Sequence, residues 1–191
     1  YRCGQKIAGF VNSRFYEDQL KLLNKNPGSL IYRDVQNKYN KEIKNSYSVE
    51  AKEIATLIKE NDYHDVGIIT PFVNQASTIN YYLEQYGIND VKAGTVHTLQ
   101  GSEKSVIILS TALSLKTGKK TMDWIKNNHE LINVAVTRAK DSFIFVGDKE
   151  AIDALSKGEI NDIKALSDYV KSNGEYIVPR REKTIITDFS N

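Results

Sequence analysis

Hydrophobic residues recur along this chain in two patterns, one with a helical period and one of short continuous apolar runs. The helical period predicts helices over residues 5–23, 48–61, 74–86, 128–140, 149–156 and about 163–170. The apolar runs predict strands over residues 29–35, 66–70, 92–96, 106–110 and 143–147, with an edge strand over 175–179. Since strands alternate with helices, the pattern predicts an α/β fold with a mainly parallel sheet and helices on both faces.

The segments between these elements are polar. Residues 36–47 are predicted to form a surface connection, and residues 113–121 a linker with several lysines. We expect Trp124 and Ile125 to anchor the end of that linker to the core. No composition shift marks a second domain, so we expect one main domain over residues 1–160, with 161–191 adding a helix and a peripheral tail.

One arginine lies on an apolar helical face. Leu131, Val134, Ala135 and Arg138 are spaced so that they share one side of the predicted helix 128–140. A guanidinium keeps its charge there, so it needs an anion at the edge of the core. The anion is either a carboxylate of the chain or a phosphate of a ligand, and the helix alone favours neither.

Composition limits the possible partners. The 26 Lys and Arg residues nearly balance the 24 Asp and Glu residues, for a net charge of +2, so any nucleic-acid surface must be local. The single Cys3 excludes an internal disulfide and a cysteine-based zinc cluster, and we expect no metal ligands. A single cysteine also fits a reducing compartment, so we expect a cytoplasmic protein. No apolar run has the length of a membrane helix, so we expect no membrane partner. Because the chain begins at Tyr1, we expect it to be a piece of a longer protein.

Two common nucleotide-binding motifs are missing from this sequence. A GxxxxGK[ST] phosphate loop is absent, and residues 117–121 (TGKKT) lack both its first glycine and the buried strand before it. No GxGxxG follows a predicted strand either, which argues against a dinucleotide-dependent enzyme. We expect any ligand to bind beyond the carboxyl ends of the strands, as is usual in doubly wound sheets, with the sequence motifs at those ends.

Four short segments occur in an order that resembles the second RecA-like domain of superfamily 1 helicases, in the UvrD-like and nonsense-mediated-decay-like branch. Tyr1-Arg2 resembles the YR pair after the family's third motif, and residues 69–72 (ITPF) with Gln75 resemble the fourth. Residues 95–103 (TVHTLQGSE) resemble the fifth motif and residues 133–140 (NVAVTRAK) the sixth. The resemblance implies a RecA-like P-loop NTPase fold, although the phosphate loop itself belongs to the family's first domain.

The resemblance also implies an ATP site. ATP and Mg²⁺ would be bound mainly by an N-terminal RecA-like domain of the same parent chain, and this chain would supply the opposite wall. Arg2 and Arg138 would act catalytically as arginine fingers, because a planar permanent cation suits the charge that develops on the γ-phosphate. Four more residues are implied to contact the nucleotide: Glu103 at the sugar, Gln100 and Gly101 in a tight turn beside it, and Tyr1 at the adenine.

A second set of residues is implied to contact single-stranded DNA or RNA. Thr95 and His97 match family positions that touch the strand, and Thr70 and Pro71 match the corresponding part of the fourth motif. Contacts to phosphate carry no sequence information, so sequence-independent binding is expected. This chain departs from the family at Lys140, where a second arginine is common, and no role is assigned to that lysine.

These features predict the C-terminal motor domain of an ATP-dependent helicase or translocase, inactive without its first domain. The alternative is a non-catalytic nucleic-acid-binding or docking module that keeps the helicase fold but not the motor. The near-neutral charge and the missing phosphate loop keep that alternative open.

Overall fold

A six-stranded sheet forms the centre of the fold. The computed structural model describes residues 2–99, 101–126 and 128–179. The strands are β1 (Ser29–Asp34), β2 (Val66–Ile69), β3 (Ala93–Gly94), β4 (Lys104–Ser110), β5 (Ala139–Gly147) and β6 (Glu175–Ile177). Their order is β3-β2-β4-β5-β1-β6, and every pairing between them is parallel. The α/β RecA-like fold expected from the sequence is confirmed.

Helices cover both faces of this sheet. They are α1 (Gln5–Phe15), α2 (Ser48–Asn61), α3 (Val73–Gln85), α4 (Lys119–Lys126), α5 (His129–Thr137), α6 (Lys149–Ser156) and α7 (Asp162–Asn173). One core cluster joins the sheet to α2 and α3, and the other joins it to α1, α4, α5, α6 and α7. All four residues of β2 are buried, as the continuous apolar run predicts.

The first helix is shorter than the sequence predicts. The prediction of a helix over 5–23 is wrong beyond Phe15, and Glu17 and Asp18 both adopt left-handed φ angles, 48° and 60°. The side-chain oxygen of Asn12 accepts a hydrogen bond from the Leu20 amide at 2.9 Å, which stabilises this reversal. A polar side chain that bonds a nearby backbone group competes with helix continuation.

Other boundaries also differ from prediction. The strand predicted over 92–96 shortens to β3, and Val96–Leu99 forms a 3₁₀ helix. The helix predicted over 128–140 ends at Thr137, so that Lys140 lies in β5. The end of the segment expected to be a linker, from Lys119 onward, instead begins helix α4, where Thr121, Met122 and Ile125 are buried. The tail 180–191 lies outside the described residues.

Candidate nucleotide and nucleic-acid site

Arg138 lies at the junction between α5 and β5. It is the C-cap of α5, and its backbone carbonyl accepts a hydrogen bond from the amide of Lys104, the first residue of β4, at 3.0 Å. The side chain is half-buried and pairs with no carboxylate of the described residues. Its Nε is buried and has no hydrogen-bond partner among them. A buried guanidinium donor without an acceptor is unfavourable, so this position suits an anionic ligand.

Arg2 and Glu103 lie at the same junction. An Nη of Arg2 is 4.0 Å from a carboxylate oxygen of Glu103, and 84% of the Arg2 side chain is exposed. The backbone of this segment is nevertheless fixed, because Asn24 donates a hydrogen bond to the Arg2 carbonyl at 2.6 Å and the Gly4 amide donates to Lys140 at 2.8 Å. An exposed ion pair of this length is weak. Arg2 is therefore held at the site by its backbone while its guanidinium can turn toward a ligand.

The turn before Glu103 depends on a glycine. Gly101 has φ +86°, a left-handed conformation that glycine adopts without strain, and a Cβ there would meet nothing within 4 Å. The Ser102 amide closes the turn by donating to the Leu99 carbonyl at 3.2 Å. Open space above a glycine backbone is compatible with a ligand that approaches closely. Gln100 and Tyr1, the other two residues expected to contact the nucleotide, lie outside the described residues.

The structure corrects the position expected for this group of residues. Arg2, Glu103 and Arg138 lie at the amino ends of β4 and β5, not at the carboxyl ends. The expectation that ligands bind at the carboxyl edge applies to loops that follow a strand. Glu103 instead immediately precedes β4, and Arg138 immediately precedes β5. The candidate nucleotide wall therefore occupies the amino edge of the sheet.

The residues expected to contact nucleic acid follow the opposite edge. Thr70 and Thr95 come directly after β2 and β3, and the Thr70 amide donates to Gly94 at 3.0 Å. Thr70 has no accessible surface, and Pro71 is buried in the wall of a cavity. Thr95 is half-buried, and its carbonyl accepts bonds from both the amide and the hydroxyl of Thr98. Of this set, Thr95 and the exposed His97 keep accessible surface.

The 3₁₀ helix containing His97 connects the two edges. It starts after β3, at the carboxyl edge, and leads through Gly101 and Glu103 to the start of β4 at the amino edge. Leu99, the last residue of this helix, packs against β2, since a Cβ placed on Gly67 would be 3.0 Å from a Leu99 methyl group. One short segment thus joins the candidate strand contacts to the candidate nucleotide contacts.

Sequence reasoning missed a cavity beside Pro71. This cavity has a volume of about 450 Å³, and we call it the aromatic cavity. Its lining residues come from the loop before α2, the start of α3 and helix α4: Lys44, Asn45, Pro71, Phe72, Val73, Asn74, Lys120, Thr121 and Trp124. Ile125 anchors α4 in the core as expected, but Trp124 does not, since 49% of it is exposed. A signal was present in the sequence, because the single tryptophan lies within a lysine-rich segment.

A buried carboxylate also escaped the sequence reasoning. Glu50 is fully buried at the start of α2, where its two oxygens accept hydrogen bonds from the Ala112 amide at 3.1 and 3.0 Å. Asn37 donates to it at 2.6 Å and Ser110 at 3.2 Å. Burial raises the pKa of Glu50 to about 7, against the opposing effect of these donors. Glu50 therefore fixes the loop after β4 that leads to α4.

Gln75 has a similar structural role. This buried side chain accepts a hydrogen bond from the Tyr47 amide at 2.7 Å and donates to the Ser110 hydroxyl at 3.1 Å. Its hydrogen bonds connect α3 to β4 and to the segment before α2.

Among the described residues, no group of three His, Cys, Asp or Glu side chains is arranged for a metal ion. Nor does any helix in those ranges combine the length and apolar composition required to cross a membrane.

Comparison with known protein families matches residues 1–150 to the family described as "AAA domain". The chain belongs to this family. The resemblance to superfamily 1 helicases is confirmed by its relatives. "RNA helicase Mov10l1" of Mus musculus is 31% identical over 118 residues, 59% of this chain and 9% of that protein. "DNA replication ATP-dependent helicase/nuclease JHS1" of Arabidopsis thaliana is 33% identical over 109 residues, 54% of this chain and 8% of that protein.

The relatives are much longer than this member of the AAA-domain family. "Uncharacterized ATP-dependent helicase MJ0104" of Methanocaldococcus jannaschii is 25% identical over 180 residues, 80% of this chain but only 26% of that protein. Among solved structures, the C-terminal domain of a possible DNA helicase from Lactobacillus plantarum WCFS1 matches with a TM-score of 0.55 and 13% identity. That match covers 92% of this chain and 98% of the other, and it supports the fold.

Proposed function

We propose that this chain is the second motor domain of an ATP-dependent superfamily 1 helicase or translocase. In this proposal, an N-terminal RecA-like domain of the parent protein binds ATP and Mg²⁺, and the amino edge of the present sheet closes over the γ-phosphate. The carboxyl edge binds single-stranded DNA or RNA. The names of the mouse and Arabidopsis relatives, one an RNA helicase and the other a DNA replication helicase, leave the choice of polymer open.

The unpartnered Nε of Arg138 is the observation that carries this proposal. A structural arginine is usually paired with a carboxylate of the chain, as Arg33 is with Glu53 at 3.4 Å although its Nε is also unpartnered. Arg138 instead keeps a buried free donor beside Arg2, a second arginine whose side chain is mostly exposed. Two guanidinium groups at one edge suit the γ-phosphate, whose equatorial oxygens gain charge in the transition state of phosphoryl transfer. ATP supplies the phosphoryl group, and the arginines stabilise the charge that develops on it.

The same geometry supports a proposal of communication between the two edges. The segment from Thr95 to Glu103 passes from the candidate strand contacts to the candidate nucleotide contacts through one 3₁₀ helix and the turn that follows it. We propose that closure of the ATP site moves this segment and so changes the affinity for single-stranded nucleic acid.

ATP hydrolysis by the parent protein containing both domains tests the proposal. Arg138→Ala is expected to lower strand-stimulated ATP turnover by about 10³-fold or more, as removal of an arginine finger does, while strand affinity is largely kept. Arg138→Lys is expected to remain strongly impaired because an ammonium lacks the planar fork of donors. Lys140→Ala is the matched control, since Lys140 is close in sequence and has no assigned role. Near-normal turnover in Arg138→Ala would overturn the arginine-finger assignment.

The non-catalytic module remains a second candidate, favoured by the absence of a phosphate loop from these 191 residues. The sequence of the parent protein distinguishes the two. An upstream GxGKT-type loop followed by an acidic pair favours the motor, and a parent without them favours the module.

A further inference from the structure

We infer that Phe72 and Trp124 form a base-stacking platform for single-stranded nucleic acid, with Lys44 and Lys120 contacting its phosphates. This inference rests on the proposed strand-binding function and assigns it a specific place, the aromatic cavity. The two rings have centroids 5.7 Å apart and an interplanar angle of 43°. Phe72 directly follows Pro71 of the fourth motif, whereas Trp124 belongs to α4, outside the motif segments.

Trp124 is more exposed than a purely structural tryptophan would be. A tryptophan whose role is only to anchor α4 would be mostly buried, as its neighbour Ile125 is at 0% exposure, but Trp124 is 49% exposed. Its inner side contacts Phe72, so the ring is supported while much of its surface faces solvent. Supported, exposed aromatic rings are the surfaces on which unpaired bases stack.

Two lysines that are free of ion pairs lie around the cavity. Lys44 and Lys120 are exposed and come from two separate segments of the chain. Neither forms an ion pair with a carboxylate of the described ranges, whereas Lys119 pairs with Asp123 at 3.0 Å. The cavity therefore combines two free cations with an aromatic surface, in a chain whose net charge is only +2. This local arrangement suits a phosphate backbone that carries unstacked bases.

The cavity is also held in shape by hydrogen bonds. Asn74 donates to the Lys44 carbonyl at 2.9 Å, and the hydroxyls of Ser46 and Thr78 are 2.5 Å apart. These contacts fix the loop before α2 against the first turns of α3. On the other wall, buried Thr121 and Ile125 fix α4. A site whose walls are already ordered loses less conformational entropy when it binds a ligand.

The location favours a nucleic-acid strand over a free nucleotide. The cavity opens at the carboxyl edge beside Pro71, where the resemblance places the strand contacts, and away from Arg2 and Arg138 at the amino edge. A strand that reaches Thr95 and His97 after β3 and also the aromatic cavity after β2 would follow the ends of neighbouring strands. Because every base has a stacking face, this platform would not select sequence.

The single tryptophan makes the inference directly measurable in the 191-residue chain. Oligothymidylate or oligouridylate of about twelve nucleotides is expected to quench the Trp124 fluorescence as it binds. Trp124→Leu is expected to weaken binding of the dye-labelled oligonucleotide, followed by anisotropy, by roughly five- to 100-fold, while Trp124→Phe keeps most of the affinity.

A lysine pair provides the matched test of the phosphate contact. Lys120→Ala is expected to make the slope of the logarithm of the binding constant against the logarithm of the salt concentration shallower by about 0.7, because one contact to a single-strand phosphate is lost. Lys119→Ala is the control, because Lys119 is adjacent in sequence but pairs with Asp123. Equal effects of the two substitutions would contradict a specific contact at Lys120.

The outcomes separate this inference from the proposed function. If the chain binds the labelled strand but Trp124 fluorescence is unchanged and Trp124→Leu binds like wild type, the platform is overturned while strand binding stands. If the wild-type chain binds no strand, both the platform and the proposed strand contact fail. Quenching by ATP but not by oligonucleotide would also overturn the inference, since the cavity would then bind free nucleotide.

Discussion

The carbonyl of Arg138 accepts a hydrogen bond from the amide of Lys104 at 3.0 Å, which joins the end of α5 to the start of β4. Glu103 precedes Lys104, so the sixth-motif arginine and the fifth-motif carboxylate are positioned by one backbone contact. Lys104 itself pairs with Asp65 at 3.4 Å and so does not neutralise Glu103. The relative position of Arg138 and Glu103 is therefore fixed by the sheet rather than by flexible side chains.

The isolated chain is expected to show no measurable ATP turnover. It lacks the GxxxxGK[ST] loop that binds phosphates, so the arginine fingers that we propose would have no bound substrate to act on. Phosphate release by the purified chain, with and without oligonucleotide, measures this. Robust hydrolysis that Arg138→Ala abolishes would show that the chain contains a complete site.

Glu103→Ala in a parent protein with both domains is expected to raise KM for ATP by roughly tenfold, because one hydrogen bond to a charged group is lost. Little change in kcat is expected. The sugar contact proposed for Glu103 would be made in both the ground state and the transition state, so its removal would weaken binding without slowing the chemical step. Steady-state kinetics over a range of ATP concentrations separate the two parameters. Glu130→Ala, at an exposed glutamate in the first turn of α5, is the control. A fall in kcat at unchanged KM would assign Glu103 to catalysis instead.

Gly4→Ala is expected to destabilise the chain by about 1–3 kcal/mol through overpacking. A Cβ on Gly4 would lie 2.4 Å from the Gly28 Cα, a backbone atom whose displacement costs free energy. Urea unfolding measures the loss. The contact also positions the segment containing Arg2, so the same change should lower ATP turnover in the two-domain parent. At Gly118 a Cβ would meet nothing within 4 Å, and an unaffected Gly118→Ala is the control.

The free energy of unfolding is expected to fall as the pH rises through about 7. Glu50 has its pKa raised from 4.5 to about 7 by burial, so between these values the folded state binds more protons than the unfolded state. The stability contributed by protonated Glu50 is complete below about pH 4.5 and is lost as the pH passes 7, an effect of about 3 kcal/mol.

Urea unfolding at several pH values, compared between wild type and Glu50→Gln, measures this effect. The amide does not titrate, so the variant should lose most of the pH dependence. The pKa of His64 is also raised, by its hydrogen bond to Asp90, and His64 contributes in the same direction. Both proteins should therefore carry His64→Ala. An identical pH profile for wild type and Glu50→Gln in that background would contradict the role assigned to Glu50.

The elements with strong local patterns were predictable from the sequence. Helix α2 matches its predicted range 48–61 in full, and β2 follows the apolar run at 66–70 closely. Helix α4 was not predicted because its eight residues include only a short apolar face, too little to establish a period. The end of α1 was missed for a different reason. Leu20 and Leu23 fit helical spacing, but Leu23 is 81% exposed, and Asn12 bonds the backbone of Leu20 instead.

The alternation of strands and helices, and with it the parallel sheet, could be read from the amino-acid sequence alone, because both depend on the local period of apolar residues. The order of four motifs also indicated the family. Which edge of the sheet each motif occupies became known only from the folded structure, as did the shared position of Arg2, Glu103 and Arg138 at one edge. That arrangement depends on backbone bonds between distant segments, such as Gly4 to Lys140 and Lys104 to Arg138, which no local pattern encodes. The aromatic cavity likewise exists only because α4 packs where Trp124 meets Phe72.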